Sequence, residues 1–168
     1  VIKSDPYTLI EKPCVRGSNR IEDHMAFFPL GEAFFRFEQT SVNGTIVIDT
    51  YMVNIGPIHT PLRLEVKNGR VVEISGGAEA DRLKRILDRY GDEGAYKIGE
   101  WALGTNPETI IMGTNGEDKK YLGSTHFALG AGNPVPPVKS KLHMDAVMLK
   151  PTIYLDGKVL IDRGKWLF

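Results

Sequence analysis

Alternating apolar and polar positions mark the first half of the chain. Residues 62–66 alternate strictly, and Asn68-Gly69 turns the chain back into an apolar stretch over 71–74. Asn43-Gly44 is a second turn signal, which lies between aromatic positions around 34–37 and a β-branched run over 45–53. Period-two alternation and Asn-Gly turns predict strands joined as hairpins. We therefore expect antiparallel sheet from about residue 33 to residue 75.

A three- and four-residue period replaces the alternation after Gly76-Gly77. It predicts a helix over residues 78–90 that ends at Gly91. We expect a second short helix over 92–98 and a helical turn within 114–123. The apolar positions that carry the main helix are Ala80, Leu83, Ile86, Leu87 and Tyr90.

The last third of the chain returns to strand patterns. We expect strands over 125–129 and 142–149, and a hairpin that Asp156-Gly157 turns. Residues 1–30 are irregular, because proline and glycine interrupt every candidate element there. Strands, then helices, then strands predict an α+β fold over 1–168 as a single domain. Its sheet should be antiparallel or mixed, with hairpins and two or three helices.

Composition narrows the classes of partner. The 168 residues carry 21 Lys plus Arg and 21 Asp plus Glu, so no basic excess points to nucleic acid or to an anionic membrane. No apolar run approaches the roughly 20 residues that a membrane helix needs. Cys14 cannot form an internal disulfide, which favours a reducing cytoplasm. The chain does not start with Met, so we expect a fragment or a processed product.

Two histidines stand in settings that favour metal binding. His143 and Asp145 are two residues apart on a predicted strand, so their side chains project from the same face. His126, on a neighbouring strand, would complete a set of two imidazoles and one carboxylate for Zn²⁺, Mn²⁺, Co²⁺ or Fe²⁺. A histidine with this spacing alone is more often a hydrogen-bonded core residue than a metal ligand. His24 and His59 lie in loops, where we expect them to be exposed.

Two glutamates stand beside glycine in otherwise apolar segments. Glu32 follows Gly31, and Glu100 follows Gly99. A carboxylate buried without a partner is costly, so each needs a cation, an arginine or backbone donors nearby. Glu32 and Glu100 are therefore further candidate ligands.

The ordered set of short motifs resembles the aminopeptidase T and aminopeptidase S family of metallopeptidases. The motifs are Gly31-Glu32-x-Phe34, Asn43-Gly44-Thr45, residues 64–72 and 99–107, residues 126–130, and His143-Met144-Asp145. The resemblance implies that two divalent ions (Zn, Co or Mn) are held by Glu32, Glu100, His126, His143 and Asp145. It also implies that the chain is the carboxy-terminal catalytic part of a larger two-domain enzyme that forms a homodimer.

The predicted function is therefore that of a metal-dependent aminopeptidase, a hydrolase and protease that releases amino-terminal residues from peptides. Two ions would share and activate a water molecule. Glu117 is the preferred general base, and Glu100 is the other carboxylate to which we assign a catalytic role. A solvated turn is the other interpretation of Glu117.

Two alternatives stay open. Asn133 occupies the position where the peptidases have a tyrosine. Residues 99–107 and 117–126 are also similar to relatives that include a 2,5-dihydroxypyridine dioxygenase. That likeness implies a ring-cleaving enzyme with one Fe(II) and a small aromatic substrate, in which the ligands are His126, His143 and Asp145 and the supporting residues are Glu32 and Glu100. The third hypothesis is an inactive or incomplete metal-binding fragment.

Overall fold

The computed structural model describes residues 29–167, in which twelve strands form three antiparallel sheets. The α+β prediction is confirmed. The predicted irregular segment 1–30 falls almost wholly outside the described residues, as do Cys14 and His24. No helix among residues 29–167 is long and apolar enough to cross a membrane. The strands are β1 (Glu32–Phe34), β2 (Gly44–Ile48), β3 (Tyr51–Met52), β4 (Gly56–Pro57), β5 (Leu62–Lys67), β6 (Arg70–Ser75), β7 (Ile98–Gly104), β8 (Thr125–Gly132), β9 (Val138–Met148), β10 (Ile153–Leu155), β11 (Lys158–Asp162) and β12 (Lys165–Trp166).

The largest sheet has six strands in the order β1-β7-β8-β9-β3-β4. A three-stranded sheet, β2-β5-β6, and the helix α1 (Ala78–Tyr90) pack beside it, and β10-β11-β12 form the third sheet. Buried apolar residues from the first two sheets and α1 form one continuous core. The large sheet is thereby supported on one side by the core and can present polar groups on the other.

Helix α1 forms where the apolar period predicts it. Ala80, Leu83 and Leu87 are buried along one stripe and pack toward β5 and β6. Gly91 ends the helix in a left-handed conformation with φ 63°, which a glycine adopts without strain. Its N–H donates a hydrogen bond to the carbonyl oxygen of Leu87.

The Asn43-Gly44 turn does not join a hairpin. β1 pairs with β7, whereas β2 pairs with β5, so the segments on the two sides of the turn enter different sheets. The predicted run over 45–53 is also divided, because β2 ends at Ile48 and β3 pairs with β9. Pairing with distant strands therefore overrides the local turn signal.

The predicted helix over 92–98 is a single 3₁₀ turn, Glu93–Tyr96. The Asp92 side chain accepts a hydrogen bond from the Ala95 N–H at its start. The chain then enters β7 at Ile98, a strand that the pattern did not predict. A second α-helix, α2 (Asn115–Asp118), forms inside the predicted turn region 114–123.

Candidate metal centre

The candidate ligands project from one face of the six-stranded sheet. Glu100 on β7 lies opposite Ala128 on β8, and Ala128 lies opposite Asp145 on β9, so the three form a row across the strands. His126 is two residues from Ala128, and His143 is two residues from Asp145. Directly opposed residues, and residues two apart on one strand, share a face of a sheet. The short Ala128 side chain leaves space between the two carboxylates.

Glu32 reaches the same face from the edge strand β1. It lies opposite Gly104, two residues beyond Ala102, which lies opposite His126. A Cβ at Gly104 would stand 2.1 Å from the carbonyl oxygen of Tyr121. The glycine therefore lets the segment that follows α2 pass close over β7, which brings that segment to the candidate site.

Two groups of ligand atoms form among residues 29–167, and Glu100 belongs to both. In each group the donor atoms all lie within 4.8 Å of one another. His126 Nε2 lies 3.3 Å from Glu100 Oε1 and 3.6 Å from Glu32 Oε2. The predicted trio of His126, His143 and Asp145 is thus connected through Glu100. The groups are Glu32, Glu100 and His126, and Glu100, His143 and Asp145.

Asp145 is a buried anion with its two oxygens in different surroundings. Oδ2 accepts hydrogen bonds from Asn115 Nδ2 at 2.8 Å and from Lys119 Nζ at 3.2 Å. Oδ1 lies 3.0 Å from His143 Nε2 but accepts no well-aligned hydrogen bond. Burial alone would raise the pKa of Asp145, but the contact with His143 and the charge of Lys119 hold that pKa well below its ordinary value.

His143 is oriented by its other ring nitrogen. The Nδ1–H can donate to the carbonyl oxygen of Ala131 at 2.7 Å, which leaves Nε2 facing Asp145. The contact with the Asp145 carboxylate raises the pKa of His143 to about 9, although partial burial opposes it. In its neutral form this imidazole presents the Nε2 lone pair to the site, which is the tautomer that a metal ligand needs.

The donor set fits a divalent metal ion. Asp145 Oδ1 is buried and faces His143 Nε2, and Glu32 Oε2 is buried and faces Lys119 Nζ and His126 Nε2 at 3.5 and 3.6 Å, so both carboxylate oxygens point toward nitrogen atoms without a well-aligned hydrogen bond. Two ligands at right angles on one ion, each with a bond of about 2.1 Å, lie about 3 Å apart. The 3.0 Å separation of His143 and Asp145 and the 3.3 Å separation of His126 and Glu100 match that value.

Two lysines that the sequence reading did not single out also reach the site. Lys119 Nζ lies 3.5 Å from Glu32 Oε2, and Lys120 Nζ lies 3.3 Å from Glu32 Oε1. Burial alone would lower the pKa of Lys119, but the charges of Asp145 and Glu32 raise it. The run 117–120 resembled a solvated turn, and nothing in its spacing shows that both lysines point inward.

Glu117, the predicted general base, lies half-buried in α2 and belongs to neither ligand group. Its catalytic role stays a prediction. His59 is exposed, as predicted. Asn133 is exposed just beyond the end of β8. From the α2 region it is Asn115 and Lys119 that contact a candidate ligand, Asp145.

Comparison with known proteins identifies a family. The sequence model of the 2,5-dihydroxypyridine 5,6-dioxygenase family (NicX) matches residues 15–167. The enzyme of that name from Pseudomonas putida is 26% identical over 155 residues, which cover 82% of this chain and 43% of the relative. A solved structure of 2,5-dihydroxypyridine dioxygenase from P. putida KT2440 superposes with a TM-score of 0.72 at 22% identity, over 80% of this chain and 42% of that one.

A second solved structure, wild-type AmpT from Thermus thermophilus, superposes with a TM-score of 0.63 at 20% identity. It covers 83% of this chain and 40% of AmpT. At this identity the likeness shows a shared fold only. The chain spans less than half the length of each of these relatives.

The predicted assignment to the aminopeptidase T and S family is wrong, because the family that matches is a dioxygenase family. The predicted metalloaminopeptidase activity and the hydrolase and protease classes are wrong with it. The choice of Zn, Co or Mn as the metal has no support. The motifs misled because they lie on the strands and turns of a fold that the dioxygenase and AmpT structures both share with this chain.

Proposed function

This chain belongs to the 2,5-dihydroxypyridine 5,6-dioxygenase family, and we propose that it binds one Fe(II) ion and contributes to the oxygen-dependent opening of a hydroxylated pyridine or similar aromatic ring. The observation that carries the proposal is the placement of His143 Nε2 and Asp145 Oδ1, 3.0 Å apart on one face of β9. The other polar atom of each side chain is hydrogen-bonded: His143 Nδ1 to the carbonyl oxygen of Ala131, and Asp145 Oδ2 to the amide of Asn115. These bonds turn Nε2 and Oδ1 toward the same point.

We propose His126, His143 and Asp145 as the iron ligands; because His126 and the pair on β9 fall in different ligand groups that share Glu100, one iron would have to draw them together. Imidazole and carboxylate donors with open positions beside them suit non-haem Fe(II). When bound, the iron would supply the redox chemistry through which O₂ reacts with an aromatic ring. The contacts of Nδ1 with Ala131 and of Oδ2 with Asn115 would fix the two ligands on β9 before any ion binds.

The substrate would approach from the side of His143 and Glu100. The His143 side chain is 43% exposed and that of Glu100 is 20% exposed, whereas His126 is fully buried. A ring hydroxyl that reached this side would meet the Glu100 carboxylate, which could accept its proton. We therefore propose Glu100, and not Glu117, as the residue that acts on the substrate.

The test is anaerobic reconstitution with Fe(II), followed by O₂ uptake with 2,5-dihydroxypyridine as the probe. We expect one iron per chain and loss of the iron in the His143→Ala and Asp145→Ala variants. His59→Ala, at an exposed histidine far along the chain from the site, is the matched control and should keep its iron. Full iron content in the His143→Ala and Asp145→Ala variants would refute the proposed ligands.

The single-domain organisation of residues 1–168, its correspondence to the carboxy-terminal part of a larger enzyme, and a homodimeric assembly remain predictions. Iron binding by this chain without O₂ uptake would support the hypothesis of an incomplete fragment. The chain matches 43% of the length of the P. putida dioxygenase, which supports the prediction that it corresponds to part of a larger enzyme.

A further inference from the structure

The candidate site combines an unusual set of charges. Three carboxylates, Glu32, Glu100 and Asp145, stand against two lysine ammonium groups, Lys119 and Lys120, so the protein leaves one net negative charge there when both histidines are neutral. One divalent ion changes that balance to one net positive charge. A second divalent ion would leave three net positive charges in a largely buried site, which is a costly arrangement.

The lysines contact the ligand group in which a second ion would bind. Lys119 Nζ lies between Glu32 Oε2 at 3.5 Å and Asp145 Oδ2 at 3.2 Å, and so touches one carboxylate from each ligand group. Lys120 Nζ contacts the other oxygen of Glu32 at 3.3 Å. Glu32 thus has a cation at each oxygen already, and an ion in the group of Glu32, Glu100 and His126 would meet the Lys119 ammonium at close range.

Lys119 is held in place by the fold and is not a flexible surface cation. Its side chain is 17% exposed, compared with 48% for Lys84 in the surface pair with Asp81. The segment before it is anchored by the fully buried Asp118, whose Oδ1 accepts hydrogen bonds from the Met112 and Gly113 N–H groups. An ammonium group desolvated to this extent needs the carboxylates that surround it.

We propose that, in the metal site proposed above, Lys119 replaces a second metal ion: its ammonium group neutralises Glu32 and Asp145 and so limits the site to one divalent ion. The same sheet face carries five candidate ligands, which is enough for two ions. Lys119 would then be the residue that decides how many ions bind.

Metal content measured after equilibrium dialysis against excess Mn²⁺ tests the count directly. Wild type should hold one ion per chain, and Lys119→Met, which keeps most of the side-chain length but removes the charge, should hold two. Lys119→Arg keeps the charge and should hold one. The double variant Lys119→Met, Glu32→Gln should return to one, because the second ion would need the Glu32 carboxylate.

Two ions per wild-type chain would overturn the proposal, and so would one ion per chain in both Lys119→Met and Lys119→Gln at saturation. The second neutral variant guards against a folding defect in the first, and far-ultraviolet circular dichroism checks both. O₂ uptake is measured separately. Ion counts of one and two without O₂ uptake would support the hypothesis of an incomplete fragment and would leave the role of Lys119 standing.

Discussion

Protonation of His143 should make the metal affinity depend on pH between 7 and 9, a range in which an ordinary histidine ligand is already deprotonated. Its pKa is raised to about 9 by Asp145, whereas an ordinary imidazole titrates near 6.5. A metal ion can bind Nε2 only after that proton leaves. At pH 7, two units below 9, roughly one molecule in a hundred has a neutral His143. The apparent affinity should therefore rise about tenfold from pH 7 to 8 and about 50-fold in all from pH 7 to 9, where half of the molecules have a neutral His143.

Stability should respond to pH with opposite signs in the two forms of the protein. In the metal-free chain the raised pKa of His143 means that its contribution to stability is complete below about pH 6.5 and is lost as the pH rises through about 9. Metal binding becomes tighter over the same range. The increase in melting temperature on addition of metal should therefore grow from pH 7 to pH 9.

Calorimetric titration with Mn²⁺ under anaerobic conditions, in buffers of different ionisation enthalpy, measures both the affinity and the protons released. We expect nearly one proton per ion from this residue at pH 7, about half a proton at pH 9 and about a tenth at pH 10. Nuclear magnetic resonance titration of the metal-free chain locates the His143 midpoint directly. Affinity that is constant from pH 7 to 9, or a midpoint near 6.5, would refute the electrostatic account of this ligand.

Three further substitutions test the surroundings of the site and the core. Asn115→Ala removes the 2.8 Å hydrogen bond to Asp145 Oδ2 and should weaken metal binding about 10- to 100-fold; unchanged affinity by calorimetry contradicts the positioning role. Asp118→Ala leaves the Met112 N–H without its 2.7 Å acceptor and should lower the free energy of unfolding in urea by about 1–3 kcal/mol. Leu83→Ala, at a fully buried position in α1, should lower it by about 2–5 kcal/mol, with the ion count unchanged; a loss below 1 kcal/mol would show that the helix does not pack as described.

Elements with strong local patterns could be predicted from the sequence. The helix over 78–90 and the strands β5 and β6 form where the period and the turn signals place them, because their apolar faces are decided by nearby residues. β7 could not be predicted. Gly99 and Gly104 interrupt its pattern, and each is needed because another backbone passes where its Cβ would be, a long-range contact that no local window contains.

The residues of the candidate site likewise divide into those that could be predicted from the sequence and those that could not. The two-residue spacing of His143 and Asp145 correctly predicted that their side chains meet. Lys119 was missed because its place depends on how α2 lies over the sheet, and a run of charged residues is more often solvated. The protein family was misjudged because short motifs on a shared fold do not distinguish two chemistries.

The arrangement of Glu100, His126 and Asp145 across three strands, β7, β8 and β9, has a consequence for the unfolded chain. Positions 100, 126 and 145 are well separated in sequence, so an unfolded chain can rarely gather them around one ion. Binding would then favour the folded state almost exclusively, by about 2.7 kcal/mol at an ion concentration one hundred times the dissociation constant. The melting temperature of the protein would thus rise with the concentration of free metal ion, and a chelator would shorten the lifetime of the folded state.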